Sequence, residues 1–211
     1  MKAPSPRTHS RRQGFTLIEI LTVVAIIAIL AALTTAGVQS AQIRAHTSET
    51  QTRIKFIDDC LTRYHKDNGE YPKPATPDAQ GTFFNTSWTT GGAACLYQAI
   101  TGDGTDQIQG FTPRSGETSG SSTGELGSSG TEIYVKEMSG STKTWFTKNE
   151  GNSWVVLDGF RLPFQYLPRD LKATVNSLHN ETYDLWSYGN LKEPSDASDG
   201  EKARQWITNW K

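Results

Sequence analysis

Cysteine is scarce here: two in 211 residues, too few for a disulfide-rich scaffold or a four-thiolate zinc site. Net charge is nearly absent as well. The 21 Lys+Arg face 22 Asp+Glu for a formal −1, which leaves no overall basic excess to neutralise nucleic-acid phosphates. Hydrophobic residues make up only 35% of the chain and mean hydropathy is −0.54, which excludes a polytopic membrane protein. His9, His46, His65 and His179 stand apart and form no HExxH or other ligand spacing. No G-x-S-x-G nucleophile elbow and no P-loop occurs. Nothing in the sequence points to an enzyme.

The averages hide an uneven distribution. Residues 1–14, MKAPSPRTHSRRQG, hold Lys2, Arg7, Arg11 and Arg12 and no acid. From Phe15 the composition flips, and between Glu19 and Arg44 there is no ionisable side chain. A helix of roughly 20 apolar residues spans the hydrocarbon core of a bilayer. Ile20–Val38 meets that length with only Thr22, Thr34 and Thr35 as polar interruptions. Basic residues ahead of it favour a cytoplasmic N-terminus, so the expectation is one transmembrane helix over about 15–38, N-in and C-out. The run is longer than the h-region of a secretory signal and is followed by no clear cleavage site, although Ala31, Ala32, Ala36 and Gly37 imitate one. Glu19 is the anomaly, because a carboxylate inside an apolar run needs a partner or a function.

Gly14-Phe15-Thr16-Leu17-Ile18-Glu19, behind a basic leader and ahead of an apolar helix, resembles the processing site of type IV pilins and type II secretion pseudopilins. The resemblance implies cleavage by a prepilin peptidase between Gly14 and Phe15, N-methylation of the new Phe15 amine, and retention of the helix. It also gives Glu19 a role in assembly. In a staggered array of parallel helices, Glu19 of one subunit meets the Phe15 amine of its neighbour, offsetting two desolvation costs and fixing register. The plainer alternative is a carboxylate that snorkels to the membrane interface. With the leader's four cations removed the mature chain is acidic, which again disfavours nucleic acid as a partner.

Beyond the apolar run, Ile54, Ile57, Leu61 and Tyr64 recur at helical spacing, and the segment 43–64 contains no Gly or Pro. Asn68-Gly69 followed by Pro72 and Pro74 reads as the stop, so one long helix is expected over 15–67. Residues 68–211 read as a polar, extracytoplasmic head holding all six tryptophans. A short helix is expected near Ala94–Ile100, and a flexible Gly/Ser-rich loop over about 101–130. Strands are expected at Glu132–Lys136, Trp154–Leu157, Phe164–Leu167 and Tyr183–Ser187. The fold class is α+β: a long N-terminal helix, transmembrane in its first half, packed on a small antiparallel sheet, pilin-like.

The head is similar to one subfamily in particular, the major pseudopilin of type II secretion. Asn68-Gly69-Glu70-Tyr71-Pro72 matches its turn after the long helix. Asp158–Tyr166 follows its Asp-Pro-Trp-Gly-Asn-Pro-Tyr-Gln-Tyr pattern, with the second to fourth positions replaced by Gly159, Phe160 and Arg161. Tyr183–Gly189 and Ile207-Thr208-Asn209-Trp210 resemble its C-terminal strand and ending. That subfamily holds a structural calcium ion in the loop between the last two motifs. This chain departs there and keeps only Glu193, Asp196 and Asp199 as metal candidates; no cofactor is certain. Cys60 and Cys95 face an oxidising compartment, either as a disulfide joining the two helices or as two buried free thiols.

The resemblance implies a bacterial inner-membrane protein with its head in the periplasm, processed after Gly14 and assembled into a type II secretion pseudopilus. Its partners would be copies of itself, other pseudopilins, the prepilin peptidase and an inner-membrane assembly platform. The alternatives are a type IV pilus subunit at the cell surface and a membrane-anchored binding module.

Overall fold

A computed structural model describes residues 14–112, 120–127, 132–135, 145–148, 153–169, 171, 179–191 and 205–210, without the side chains of residues 33–37. The chain divides into two units, Met1–Gln42 and Ile43–Lys211.

Helix α1 runs over Leu17–Asn68. Its sequence has no proline, and its one glycine, Gly37, does not break it. It ends at Asn68, one residue beyond the expected Asp67. Gly69 adopts φ +79° and donates its N–H to the carbonyl of His65 at 2.8 Å, the left-handed cap that closes a helix. In the first unit, every large apolar side chain described from Phe15 to Leu30 is exposed, Leu17 by 84% and Ile27 by 59%. Among the described residues no helix is long and apolar enough to cross a membrane. The side chains of 33–37 fall inside the apolar run, so the expected span rests on the composition of Ile20–Val38.

In the second unit the apolar stripe of α1 is the spine of the core. Ile54, Ile57, Leu61 and Tyr64 are all buried, as their spacing predicts. They pack with Leu96, Tyr97 and Ile100 of helix α2 (Gly91–Thr101) and with Phe164, Tyr166 and Leu185. Every residue of α2 is buried, and its glycine start has a steric cause: a Cβ on Gly92 would lie 2.8 Å from the carbonyl oxygen of Tyr166.

The strands form three small antiparallel sheets among the described residues. β1 (Gln80–Phe83) pairs with β2 (Thr86–Thr89), and β3 (Phe146–Lys148) with β4 (Trp154–Val156). β5 (Gln165–Pro168), β6 (Tyr183–Ser187) and β7 (Ile207–Thr208) form the third sheet in that order. The result is α+β, consistent with a pilin-like fold, but the expected single sheet is divided. The β1–β2 hairpin escaped sequence reading because its turn residues, Phe84 and Asn85, are not the Asn-Gly that announces a tight hairpin. The strand expected at Glu132–Lys136 is not formed: Tyr134 and Val135 lie in a turn, and Lys136 is outside the described residues. The Gly/Ser-rich stretch, expected as a flexible surface loop, is tied down where it is described. Buried Asp103 accepts the N–H groups of Thr123 (2.9 Å) and Gly124 (2.7 Å) and the hydroxyl of Tyr97 (2.7 Å).

Candidate functional site

Thr16-Leu17-Ile18-Glu19 is a capping box, a hydroxyl residue followed three positions later by a glutamate at a helix start. The backbone N–H of Thr16 donates to Glu19 Oε2 at 2.8 Å, and its hydroxyl donates to the same oxygen at 2.8 Å. The N–H of Glu19 returns a bond to Thr16 Oγ1 at 3.3 Å. Two N–H groups that a helix end leaves unpaired are thereby satisfied, and the glutamate's negative charge sits at the positive end of the peptide dipoles. The chain's one acid between Phe15 and Arg44 is thus folded back towards the start of its own helix. Sequence reasoning singled out Glu19 and passed over Thr16, although the T-x-x-E spacing ahead of an apolar run was the available signal.

Gly14 and Phe15 precede α1 in non-helical backbone. Phe15 is 83% exposed, and a Cβ added to Gly14 would meet nothing within 4 Å. Gly14 and Phe15 are thus both exposed at the start of the described chain, and packing among the described residues does not demand a glycine there.

The four head segments quoted above for their motifs are stitched together by hydrogen bonds. Asp158, fully buried, accepts the N–H groups of Phe160 (2.8 Å) and Leu162 (2.9 Å) on Oδ1 and the hydroxyl of Ser187 on Oδ2 at 2.5 Å. Tyr166 donates its hydroxyl to the carbonyl of Pro72 at 2.9 Å. The side-chain oxygen of Asn209 accepts the N–H of Leu185 at 3.0 Å, and the backbone N–H of Asn209 donates to the carbonyl of Leu185 at 3.0 Å. Desolvation pushes the Asp158 carboxyl up to about 6, against the opposing pull of its hydrogen bonds and of Arg53.

Two residues of α1 that the motifs did not flag hold this network. Buried Arg53 donates to the carbonyls of Leu157 (2.6 Å) and Asp158 (3.1 Å), pairs with Glu49 one turn earlier, and lies 4.7 Å from the Trp145 ring centre. Asp58 accepts the hydroxyl of Tyr183 at 2.9 Å, and burial raises its carboxyl above the usual range. An arginine or aspartate among the other charges of a helix has no sequence signal marking it as buried, because its partners lie a hundred or more residues away.

Cys60 and Cys95 are both free and buried, so the pairing left open by the sequence is not made here. Cys60 donates weakly to the Tyr134 carbonyl at 3.7 Å, and desolvation pushes its thiol up to about 12. Cys95 is shifted upwards by the same cause. Burial therefore disfavours the thiolate at both positions, and the thiolate is the form that attacks in disulfide exchange. Glu193, Asp196 and Asp199, the calcium candidates, lie outside the described residues. Among the described residues no group of three or more His, Cys, Asp or Glu is placed to hold a metal.

No curated protein and no solved structure matches the chain. Residues 9–35, which contain Gly14, Phe15, the Thr16–Glu19 box and most of the apolar run, match the family model of the prokaryotic N-terminal methylation motif, the prepilin-type signature.

Proposed function

We propose that this protein is a structural subunit of a type II secretion pseudopilus, cleaved after Gly14, methylated on Phe15 and assembled into a filament through its N-terminal helix. The prepilin motif supports a type IV pilin-like subunit in general. The finer reading rests on the head. Its four motif segments, 68–72, 158–166, 183–189 and 207–210, resemble the major pseudopilin and are hydrogen-bonded to one another through Tyr166–Pro72, Ser187–Asp158 and Leu185–Asn209.

The observation that carries the assembly mechanism is the state of α1's first half. Its apolar side chains are exposed from Phe15 to Leu30, and a row of that length is tolerated in water only when something covers it. A bilayer covers it before assembly, with the leader on the cytoplasmic side and the head in the periplasm. The helices of other copies cover it afterwards. Glu19 meets a neighbour's Phe15 amine in the filament, while its bonds to Thr16 keep the carboxylate at the helix start. The partners are further copies, other pseudopilins, the prepilin peptidase and an inner-membrane assembly platform.

Co-expression with a prepilin peptidase, followed by mass spectrometry of the membrane fraction, tests the processing step. The expected product begins at a methylated Phe15. Substituting Glu19→Ala should leave insertion and cleavage largely intact and remove the sheared filament fraction. A Glu19→Ala chain that still forms filaments would overturn the assembly role. Filaments that require retraction machinery and extend from the cell surface would replace the pseudopilus with a pilus.

A further inference from the structure

Phe84 is 71% exposed at the tip of the β1–β2 hairpin, and its backbone is left-handed at φ +51°. Among the described residues, the other non-glycine positions with positive φ are its neighbour Asn85 and Arg161, at φ +68°. Phe84 and Arg161 line one cavity of about 440 Å³. Phe84 also borders a second, of about 330 Å³, with Phe160 and Leu162. A bulky side chain in left-handed backbone is costly, and such outliers gather where a surface does more than hold the fold. A large ring held in water on a strained turn is an anchor in search of a socket, since aromatic side chains dominate interface energetics.

Charge around this anchor has one sign. Lys148 and Arg161 are the charged residues that line the two cavities, and no carboxylate lines them among the described residues. Phe160 places this surface along α1, because its ring lies 5.4 Å from that of His46. At the other end of the head half of α1, a cavity of about 600 Å³ opens beside the last turn of the helix. Ala99, Ile108 and the rings of Phe111 and Tyr134 supply its apolar lining. Asp67 and Glu132 add two exposed carboxylates against one cation, Lys66. At about 1.5 Å per residue, His46 and Asp67 lie about 30 Å apart along α1.

We propose that Phe84 of one copy docks into the cavity at the end of α1 in the next copy. The ring meets Ala99, Ile108 and Phe111, while Lys148 and Arg161 approach Asp67 and Glu132. The size suits this, because pockets of roughly 300–1,000 Å³ enclose small ligands, and an aromatic ring on a hairpin tip is of that scale. A knob and a socket on different parts of one chain make a heterologous contact, which extends into a filament unless it closes into a ring. An anionic lipid surface would also attract Lys148 and Arg161, but it would leave the acid-rimmed cavity unused. The contact rests on the filament reading for its supply of successive copies, and it uses head residues alone.

Photo-crosslinking of the full chain in detergent micelles tests it, with p-benzoylphenylalanine in place of Phe84. Irradiation should give a covalent dimer whose yield rises with protein concentration, with the adduct mapped by mass spectrometry to residues 108–112 or 132–134. Thr112→Trp, at an exposed lining position, should abolish the adduct by filling the cavity. Glu132→Lys in the receiving chain should lower the yield about twofold to fivefold, and a probe chain carrying Lys148→Glu should restore it. No dimer, adducts confined to other segments, or a dimer indifferent to Thr112→Trp would each overturn the proposal. Adducts to lipid in place of protein, in vesicles containing phosphatidylglycerol, would overturn it in favour of a membrane partner. The sheared fraction reports filaments separately. Filaments without the Phe84 adduct remove this contact, and the adduct without filaments keeps it and removes the filament reading.

Discussion

The guanidinium of Arg53 reaches the carbonyl oxygen of Leu157 at 2.6 Å across 104 positions of sequence, joining the head half of α1 to the strand end that leads into the Asp158 turn. The same group donates to the Asp158 carbonyl and stacks near Trp145, so it satisfies two buried acceptors at once. Replacing it with methionine keeps much of the volume but strands both carbonyls. Arg53→Met should lower the unfolding free energy of the head by about 2–3 kcal/mol. Urea denaturation followed by tryptophan fluorescence reads this directly, and a loss under about 0.5 kcal/mol would show that the carbonyls are satisfied without Arg53.

Asp158 gives the head a pH dependence of definite sign. Its folded-state value, about 6, lies above the ordinary 3.8, so ionising it costs folding free energy. The contribution is fully favourable below the unfolded value and is lost as pH rises through 6. Asp158→Asn removes this slope while keeping an acceptor for Phe160 and Leu162. The stability of the native protein relative to the Asn variant should therefore fall by about 2–3 kcal/mol between pH 4 and pH 7.5. Parallel denaturation curves at several pH values would reveal a flat difference if the carboxyl titrates normally.

The β1–β2 hairpin turns on two left-handed non-glycine residues, Phe84 at φ +51° and Asn85 at φ +63°. Phe84 is also 71% exposed, so its ring recovers little of the backbone cost by packing. Phe84→Gly should stabilise the head by about 1 kcal/mol. A lower thermal midpoint for the glycine variant would mean that the exposed ring makes contacts worth more than the strain.

The capping box predicts a local effect at the helix start. Thr16→Ala removes the hydroxyl bonds on both sides and should cost about 1 kcal/mol of helix stability there. Amide hydrogen exchange of the chain in micelles should quicken at Leu17–Glu19 and remain unchanged near Tyr64. Uniform protection in the variant would assign the helix start to the surrounding lipid instead.

Cys60 and Cys95 should both resist alkylation in the native protein at pH 8 and both react after denaturation without reductant, because burial holds the thiols protonated. Intact mass after alkylation counts them. A denatured chain that takes up no label would instead contain a disulfide.

Much of this protein was legible in one dimension. The capped helix, its stop at Asn68-Gly69 and its buried stripe from Ile54 to Tyr64 follow from local rules: glycine alone accepts the left-handed cap cheaply, and an apolar period near 3.6 must face a core. The processing motif is equally local, since leader charge, Gly14, Phe15 and Glu19 lie within one short segment. β6 was recovered at its observed ends, Tyr183–Ser187, as a short strand-forming run bounded by turn residues.

Tertiary structure decided everything that depends on partners remote in sequence. Whether Arg53 and Asp58 point to water or into the core depends on Leu157, Asp158 and Tyr183, which local periodicity does not place. The division into three small sheets among the described residues depends on which short strands find each other, and a hairpin closed by Phe84-Asn85 carries no turn signature. The burial of both thiols likewise arises from the packing of α1 and α2 against their neighbours. The sequence by itself determined that residues 9–35 carry a methylation-type motif leading into an apolar helix, because charge and hydropathy act along the chain. The fold determined what its head holds together and what it leaves available, because burial and hydrogen bonding act across it.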